Sequence, residues 1–411
     1  MPESTTKKYT LALAAGTLLF AASALSARAA DDTIVLGAAV SLTGKYSTNG
    51  KNTKEGYELA VKHVNEKGGV KVGNKTYKLE VKLYDDESTP ARGAQLAERL
   101  ISQDGVKFML GPYSSGLTKA IAPVTEKYKI PQVEGNGAAR ELFSKGYRYL
   151  FAVLSTSDYY LRDAVRLAAE VAKKNGRDPK SLKVAMAFEN DPFSLDVRDG
   201  VIEDAKHFGM KIVVDDKLPP EINDMSATLT KVKALKPDLL VVSGHAKGAT
   251  LVTRQVSEQK VDVPMIATTH CDSAKIAETL GKAAEGILCG SQWDRSLAYK
   301  DHWMGSAEDF AKDFEKAYGY APPYQAAESA AAVLVYADAL HRAGSLDAAK
   351  VRAALSKTDM MTFYGPVKFD KTGKNTAKPM VLYQVQDGKY RVVAPTKWAE
   401  ATLTWPRTQP Q

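Results

Sequence analysis

Apolar positions along the chain switch between two periods. Short strand-like runs are followed, again and again, by stretches in which apolar residues return at helical spacing. Thr33–Val40 reads as a strand, and Lys54–Asn65 places Tyr57, Ala60, Val61 and Val64 on one helical face. The pattern continues through a strand at Leu79–Tyr84, a helix at Pro90–Ser102, a strand at Val106–Leu110 and a helix from about Ser115, then strands at Ile130–Val133 and Tyr149–Val153. A second series predicts helices over Asp158–Lys174, Ser194–Phe208, Met225–Leu235 and Lys247–Gln259. These alternate with strands at Val184–Phe188, Lys211–Val214, Leu239–Ser243 and Met265–Ala267. The end of the chain differs. Glu308–Tyr318, Tyr324–Arg342 and Ala348–Ser356 have helical spacing, whereas Met380–Val385 and Tyr390–Val393 predict a hairpin around Asp387-Gly388. Two successive alternating series predict an α/β protein with two doubly wound parallel-sheet lobes. In such sheets ligands bind beyond the carboxyl ends of the strands, so the strand-end loops are where chemistry is sought.

The first thirty residues do not belong to this pattern. Lys7 and Lys8 precede an apolar run from Thr10 to Leu25, and Ala27-Arg28-Ala29 offers a small-x-small cleavage site. This is the layout of a secretory signal peptide, with cleavage near Ala29 or Ala30 and export to a bacterial periplasm. The run is short for a membrane anchor, and no Cys follows it to carry a lipid. About 380 residues then remain, enough for two cores. The whole chain carries a formal charge of +8; the leader accounts for +2, leaving +6 spread over mixed-sign segments such as Lys71–Asp86. Without a basic cluster, nucleic-acid binding is not expected. The two cysteines, Cys271 and Cys289, are compatible with one disulfide or with two buried thiols.

The strand-end loops carry a resemblance. Ile34-Val35-Leu36-Gly37, Ser41-Leu42-Thr43-Gly44 and Asn49-Gly50 precede a helix bearing Gly56. Gly111-Pro112-Tyr113-Ser114-Ser115-Gly116 is followed by Pro123-Val124 and Ile130-Pro131, and Tyr318-Gly319-Tyr320 by Pro323-Tyr324 and Ala326. Together these resemble the leucine/isoleucine/valine-binding family of type I periplasmic solute receptors of ABC transporters, from about Asp32 to Val393. The resemblance implies two lobes joined by three crossing strands and closing on a ligand. Residues 31–151 with 292–361 would form one lobe, and 152–291 with 362–411 the other. It also implies delivery of a small molecule to the membrane permease of an ABC importer, by a protein expected to be a monomer.

Gly111–Ser115 supports a binding role on physical grounds too. A strand ends at Leu110 and a helix starts at Ser115, so the Ser114 and Ser115 hydroxyls and the positive helix end form a carboxylate site. Simple N-capping by serine is the alternative reading. Gly137-Ala138, at the next strand end, would face the same group. The amino-acid pattern of the family breaks elsewhere. Ala138 stands where a threonine usually assists the carboxylate, and Thr269, beside His270, stands where a glutamate usually neutralises the ammonium. The tyrosine expected after the Leu239 strand is replaced around His245-Ala246. An unpaired buried ammonium costs several kcal/mol. The pattern therefore points to a carboxylate without an ammonium, on an aromatic or hydrophobic body. Phe193 would flank it; Tyr113, Tyr159, Tyr160 and Trp293 would wall it, with packing in the core as the alternative for each. His245 and His270 would donate to a phenol or second carboxylate, and Asn49 and Asn136 are further polar contacts.

Other function classes find less support. Pro112-Tyr113-Ser114-Ser115-Gly116 lacks the first glycine of a nucleophile elbow, and neither a phosphate loop nor a dinucleotide fingerprint is present. No enzyme and no cofactor are expected. His245, His270, Cys271, Asp272 and His302 show no zinc spacing, so no metal is expected either. The sequence predicts a solute-binding protein for a small organic acid. A branched-chain amino acid or amide receptor, and a sensor serving a separate signalling partner, are the alternatives.

Overall fold

The computed structural model describes residues 33–220 and 222–407; the leader read at residues 1–30 lies outside them. Two sheets organise the chain. The first contains β1 (Thr33–Val40), β2 (Val70–Val72), β3 (Lys75–Asp85), β4 (Phe108–Leu110), β5 (Gln132–Glu134) and β6 (Leu150–Ala152), in the order 2-3-1-4-5-6. All its pairings are parallel except the β2–β3 hairpin. The second contains β7 (Lys183–Glu189), β8 (Lys211–Leu218), β9 (Leu239–Ser243), β10 (Met265–Thr269) and β11 (Leu288–Ser291). Further on lie the small pairs β12 (Lys300–Asp301) with β13 (Gly305–Ser306) and β14 (Asp359–Thr362) with β15 (Gly365–Lys368). Finally β16 (Val381–Gln386) and β17 (Lys389–Ala394) add antiparallel to the second sheet, whose order is 17-16-11-10-9-7-8. The predicted doubly wound α/β class is what the structure has.

The helices are α1 (Ser47–Glu66), α2 (Pro90–Ser102), α3 (Ser115–Tyr128), α4 (Arg162–Lys174), α5 (Pro192–Phe208), α6 (Ser226–Leu235), α7 (His245–Glu258), the short α8 (Cys271–Ala274) and α9 (Ile276–Leu280), α10 (Ala307–Tyr318), α11 (Tyr324–Ala343) and α12 (Ala348–Leu355). Several begin away from their predicted positions. Helix α1 starts seven residues before Lys54, because polar Ser47–Lys51 carries no apolar face to announce it. Helix α4 starts four residues after Asp158, which lies in a 3-10 turn at Ser157–Tyr159. Helix α7 opens on His245 itself. Helix α11 is buried from Tyr324 through Ala337, and its small alanines permit a close crossing with α1. There a Cβ on Gly56 would lie 2.2 Å from the Ala326 carbonyl oxygen, so only glycine fits. Among the described residues no helix is long and apolar enough to cross a membrane.

Three segments run between the sheets and are laced together. The Gln292 side chain donates to Ser155 O (2.9 Å) and accepts from Ser155 N (3.2 Å). Lys378 Nζ donates to Gln292 O, and Asn375 Nδ2 donates to Val153 O at 2.7 Å. Cys271 and Cys289 are joined in a disulfide with Cα atoms 6.1 Å apart, which resolves the two readings of the pair.

Candidate ligand-binding site

In each sheet the strand order reverses at one place: between β1 and β4 in the first, between β7 and β9 in the second. Crevices open beyond the carboxyl ends of strands at such reversals. The loop Gly111–Ser114 follows β4. In the second sheet Phe188 pairs with Ser243, so Glu189–Asp191 and Gly244–His245 emerge side by side. The two crevices face each other: a Cβ on Gly116 would lie 3.8 Å from Pro192 Cδ. The amino ends of α3, α5 and α7 therefore converge, each contributing positive potential.

Ser114 is the N-cap of α3, yet its side chain makes no capping bond. Its Oγ is buried without any hydrogen-bond partner. Capping is thus not what the hydroxyl does. Ser115 differs from expectation: its Oγ accepts from Ala138 N (3.0 Å) and Ala139 N (3.1 Å), tying the two strand-end loops together. Beneath them lies Glu134, which accepts from Thr118 Oγ1 (2.7 Å) and Asn136 N (2.5 Å). Burial pushes its carboxyl up to about 7, against those hydrogen bonds. A Cβ on Gly137 would lie 2.9 Å from Glu134 Cδ, which explains the glycine over this carboxyl. Asn136 Nδ2 donates to Ser329 Oγ, while its Oδ1 is buried without a partner.

Rings from both sheets meet at the crevice. The Tyr113 hydroxyl lies 2.6 Å from His245 Nδ1 and 2.9 Å from His270 Nε2. It has one proton to give, so one imidazole accepts it and the other donates to the phenol oxygen. His270 Nδ1 is 2.8 Å from Thr269 Oγ1, which is 3.1 Å from Ser243 Oγ. Phe193 packs against His245, His270 and Tyr160 at centroid distances of 5.4, 5.2 and 5.0 Å. Both histidines adopt left-handed backbone conformations (φ 56° and 64°), a local cost of the kind that collects at functional sites.

The two imidazoles are shifted in opposite directions. Burial lowers the pKa of each, but Asp191 Oδ1, 3.3 Å from His245 Nε2, outweighs burial there and leaves His245 above its usual value. His270, buried beside His245, falls well below and is neutral. Asp191 also caps α5, accepting from Phe193 N and Ser194 N, while its Oδ2 is buried without a partner.

The structure thus brings Tyr113, Ser114, Phe193, His245, Thr269 and His270 together, with Ser115, Asn136, Gly137 and Ala138 in the loops beneath. Asn49 lies at another junction, where its Nδ2 donates to Ser273 Oγ at 3.0 Å. Tyr159 and Trp293 are elsewhere. Tyr159 is 41% exposed with the Arg162 guanidinium over its ring, and the buried neighbour Tyr160 takes the inward place. The Trp293 indole packs on Phe310 and Phe363 and donates to Phe363 O. Sequence reasoning missed Glu189, Asp191 and Tyr46, whose ring packs edge-on against Tyr113 (5.5 Å) and His245 (4.8 Å). Asp191-Pro192 at a strand end signals a helix start, but not a shared crevice.

A profile of the periplasmic binding protein family matches residues 33–389. The chain belongs to this family. It is a substrate-binding protein of the kind that serves ABC transporters, and such proteins bind solutes rather than transform them. The Leu/Ile/Val-binding protein homolog 7 of Brucella melitensis is 26% identical, covering 98% of this chain and 100% of that protein. The branched-chain amino acid transporter substrate binding protein LivJ from Streptococcus pneumoniae, solved with isoleucine, superposes with a TM-score of 0.75 at 22% identity (91% of this chain, 100% of that one). A solute binding protein of an ABC transporter from Rhodopseudomonas palustris, solved with 3,4-dihydroxybenzoic acid, gives 0.75 at 22% identity (92% and 99%). At these identities the superpositions establish the shared fold.

Proposed function

We propose that this periplasmic binding protein captures a small aromatic or hydrophobic carboxylate between two lobes. Residues 31–151 with 292–361 would form one lobe and 152–291 with 362–411 the other. The bound monomer would then present the acid to the membrane permease of an ABC importer, after export directed by the leader. The observation that carries this reading is the buried, unpartnered Ser114 Oγ at the uncapped amino end of α3. A hydroxyl there, beside converging helix termini, suits an anion. Phe193, Tyr160 and Tyr324, whose ring lies 6.0 Å from that of Tyr160 and 5.9 Å from that of His270, would supply ring faces for the body. The His245–His270 pair, which here grips the Tyr113 phenol, suits a ligand hydroxyl or second carboxylate. The receptor of similar fold solved with 3,4-dihydroxybenzoic acid supports this reading.

A second reading rests on Asp191 Oδ2, which is also buried without a partner and would suit an ammonium. The LivJ complex with isoleucine is its counterpart among similar folds. A thermal-shift panel of the mature, refolded protein separates the two. Benzoate, hydroxybenzoates, phenylpyruvate and aliphatic acids are set against leucine, isoleucine, valine and simple amides. Ligand at a hundred times Kd adds about 2.7 kcal/mol of stability, a shift easily read. A shift with ammonium-free acids alone supports the first reading; a shift with the amino acids alone overturns it in favour of the second.

A further inference from the structure

Glu189, Asp191 and His245 form a constellation that capture of an organic acid leaves unexplained. Glu189 ends β7, Asp191 lies two residues on, and His245 opens α7 after the neighbouring strand β9. Parallel pairing at the sheet's reversal therefore sets two carboxylates and an imidazole side by side although the imidazole lies 56 positions after the first carboxylate. One oxygen or nitrogen from each lies within 4.8 Å of the others. All three residues are more than nine-tenths buried. Asp191 Oδ2 has no hydrogen-bond partner, and His245 Nε2 has only Asp191 Oδ1, 3.3 Å away, against it. A buried carboxylate oxygen without a donor is costly, and a cation held between it and the Nε2 lone pair of the neutral imidazole removes that cost, taking the place of the His245–Asp191 ion pair.

We infer that Glu189, Asp191 and His245 form a divalent metal site at the mouth of the crevice. The imidazole selects a transition ion such as Zn2+ over Ca2+ or Mg2+, which prefer all-oxygen shells. Bonds of about 2.0–2.2 Å require the three groups to draw in slightly from their present spacing. The surroundings of His245 suit this role. A histidine that binds metal through one ring nitrogen usually anchors the other by hydrogen bonding to an oxygen. Here Nδ1 lies 2.6 Å from the Tyr113 hydroxyl. Metal at Nε2 fixes the chain of donors: Nδ1–H donates to Tyr113, Tyr113 to His270 Nε2, and His270 Nδ1–H to Thr269. Three protein ligands leave coordination positions for water or for an oxygen of the captured acid.

Lys45 is the competitor. Its ammonium is 3.5 Å from Glu189 Oε1 and lies over the Tyr46 ring. With 22% of its side chain exposed, it can swing outward when a stronger cation arrives. The bridged cysteines offer no thiolate, so they do not compete for the metal.

The test uses the mature full chain, tag removed and stripped with chelator, without organic ligand. It is titrated with Zn2+ by calorimetry and with Co2+ by visible absorption. One ion per chain is expected, with Co2+ bands of a low-symmetry nitrogen–oxygen site. Asp191→Asn and Glu189→Gln should each weaken binding at least tenfold, and Lys45→Met should tighten it. Thermal unfolding of the stripped variants shows whether each is folded. Binding that is equal in the wild type and a folded Glu189→Gln/Asp191→Asn double variant would place the metal on surface histidines and overturn the site. So would no uptake at millimolar ion. The titration contains no organic acid, so its failure leaves the acid-capture reading standing, and the reverse also holds.

Discussion

At the scale of single residues, the difference between Ser114 and Ser115 is the most informative. Adjacent in sequence and identical in chemistry, they do different work. One hydroxyl joins two loops; the other is buried with nothing to bond. Removing the idle hydroxyl should cost the fold nothing, because Ser114→Ala abolishes an unsatisfied polar group. Its loss should weaken the cognate acid about 10- to 100-fold, the worth of a hydrogen bond to a charged group. Calorimetry on a refolded Ser114→Ala variant checks this, with Tm unchanged or raised. Glu134 gives a second residue-scale expectation. Its folded pKa of about 7 exceeds the ordinary carboxyl value of about 4.3, so the native state holds the proton longer than the unfolded chain. The stability it contributes is therefore complete below about pH 4.3 and is lost as pH rises through 7. Urea midpoints measured from pH 4.5 to 8 should fall for the wild type and fall less for Glu134→Gln.

At the scale of elements, the pattern of apolar positions located the strands and helices well wherever one face is buried. It failed where an element carries no such face. The start of α1 and the 3-10 turn before α4 are polar, and their boundaries were misplaced for that reason. The disulfide belongs to this scale. It closes a span of 18 residues between α8 and β11, next to the strand that ends at Thr269. A loop of that length should be worth about 3 kcal/mol through the unfolded chain. The Cys271→Ala/Cys289→Ala variant should lose about that much in chemical denaturation, while keeping the two-sheet fold by circular dichroism.

At the scale of the whole molecule, the question is what holds the two sheets' crevices together. Arg140, from the first-sheet side, binds Asp196 of α5 at 2.6 Å and Glu203 at 3.0 Å, and lies 3.8 Å from Asp158. Ser157 Oγ shares Asp196 at 2.6 Å. The guanidinium is about a third exposed, so its contribution to closure is modest. Arg140→Ala should therefore weaken ligand binding only about two- to tenfold, by lowering the population of the closed form. Small-angle scattering of that variant without ligand should show a larger radius of gyration. An unchanged radius with unchanged affinity would show that the Arg140 contacts do not hold the closed form.

The sequence by itself determined the layers. Periodicity of 2 and 3.6 requires faces that only stacked sheets and helices can bury, and that logic is local enough to read along a line. It also marked the loops where chemistry had to lie, because backbone groups at strand ends and helix starts are left open there. Which side chains meet in those loops was decided by the tertiary structure alone. Tyr159 and Tyr160 are indistinguishable in a string, yet one faces solvent and the other Phe193. Trp293 has the chemistry of a cleft wall, but packing against Phe310 and Phe363 claims it. Glu189, Asp191 and His245 become neighbours only because β7 and β9 pair at the reversal of the second sheet. Proximity between distant residues is a property of that pairing, and no periodicity along the chain encodes it.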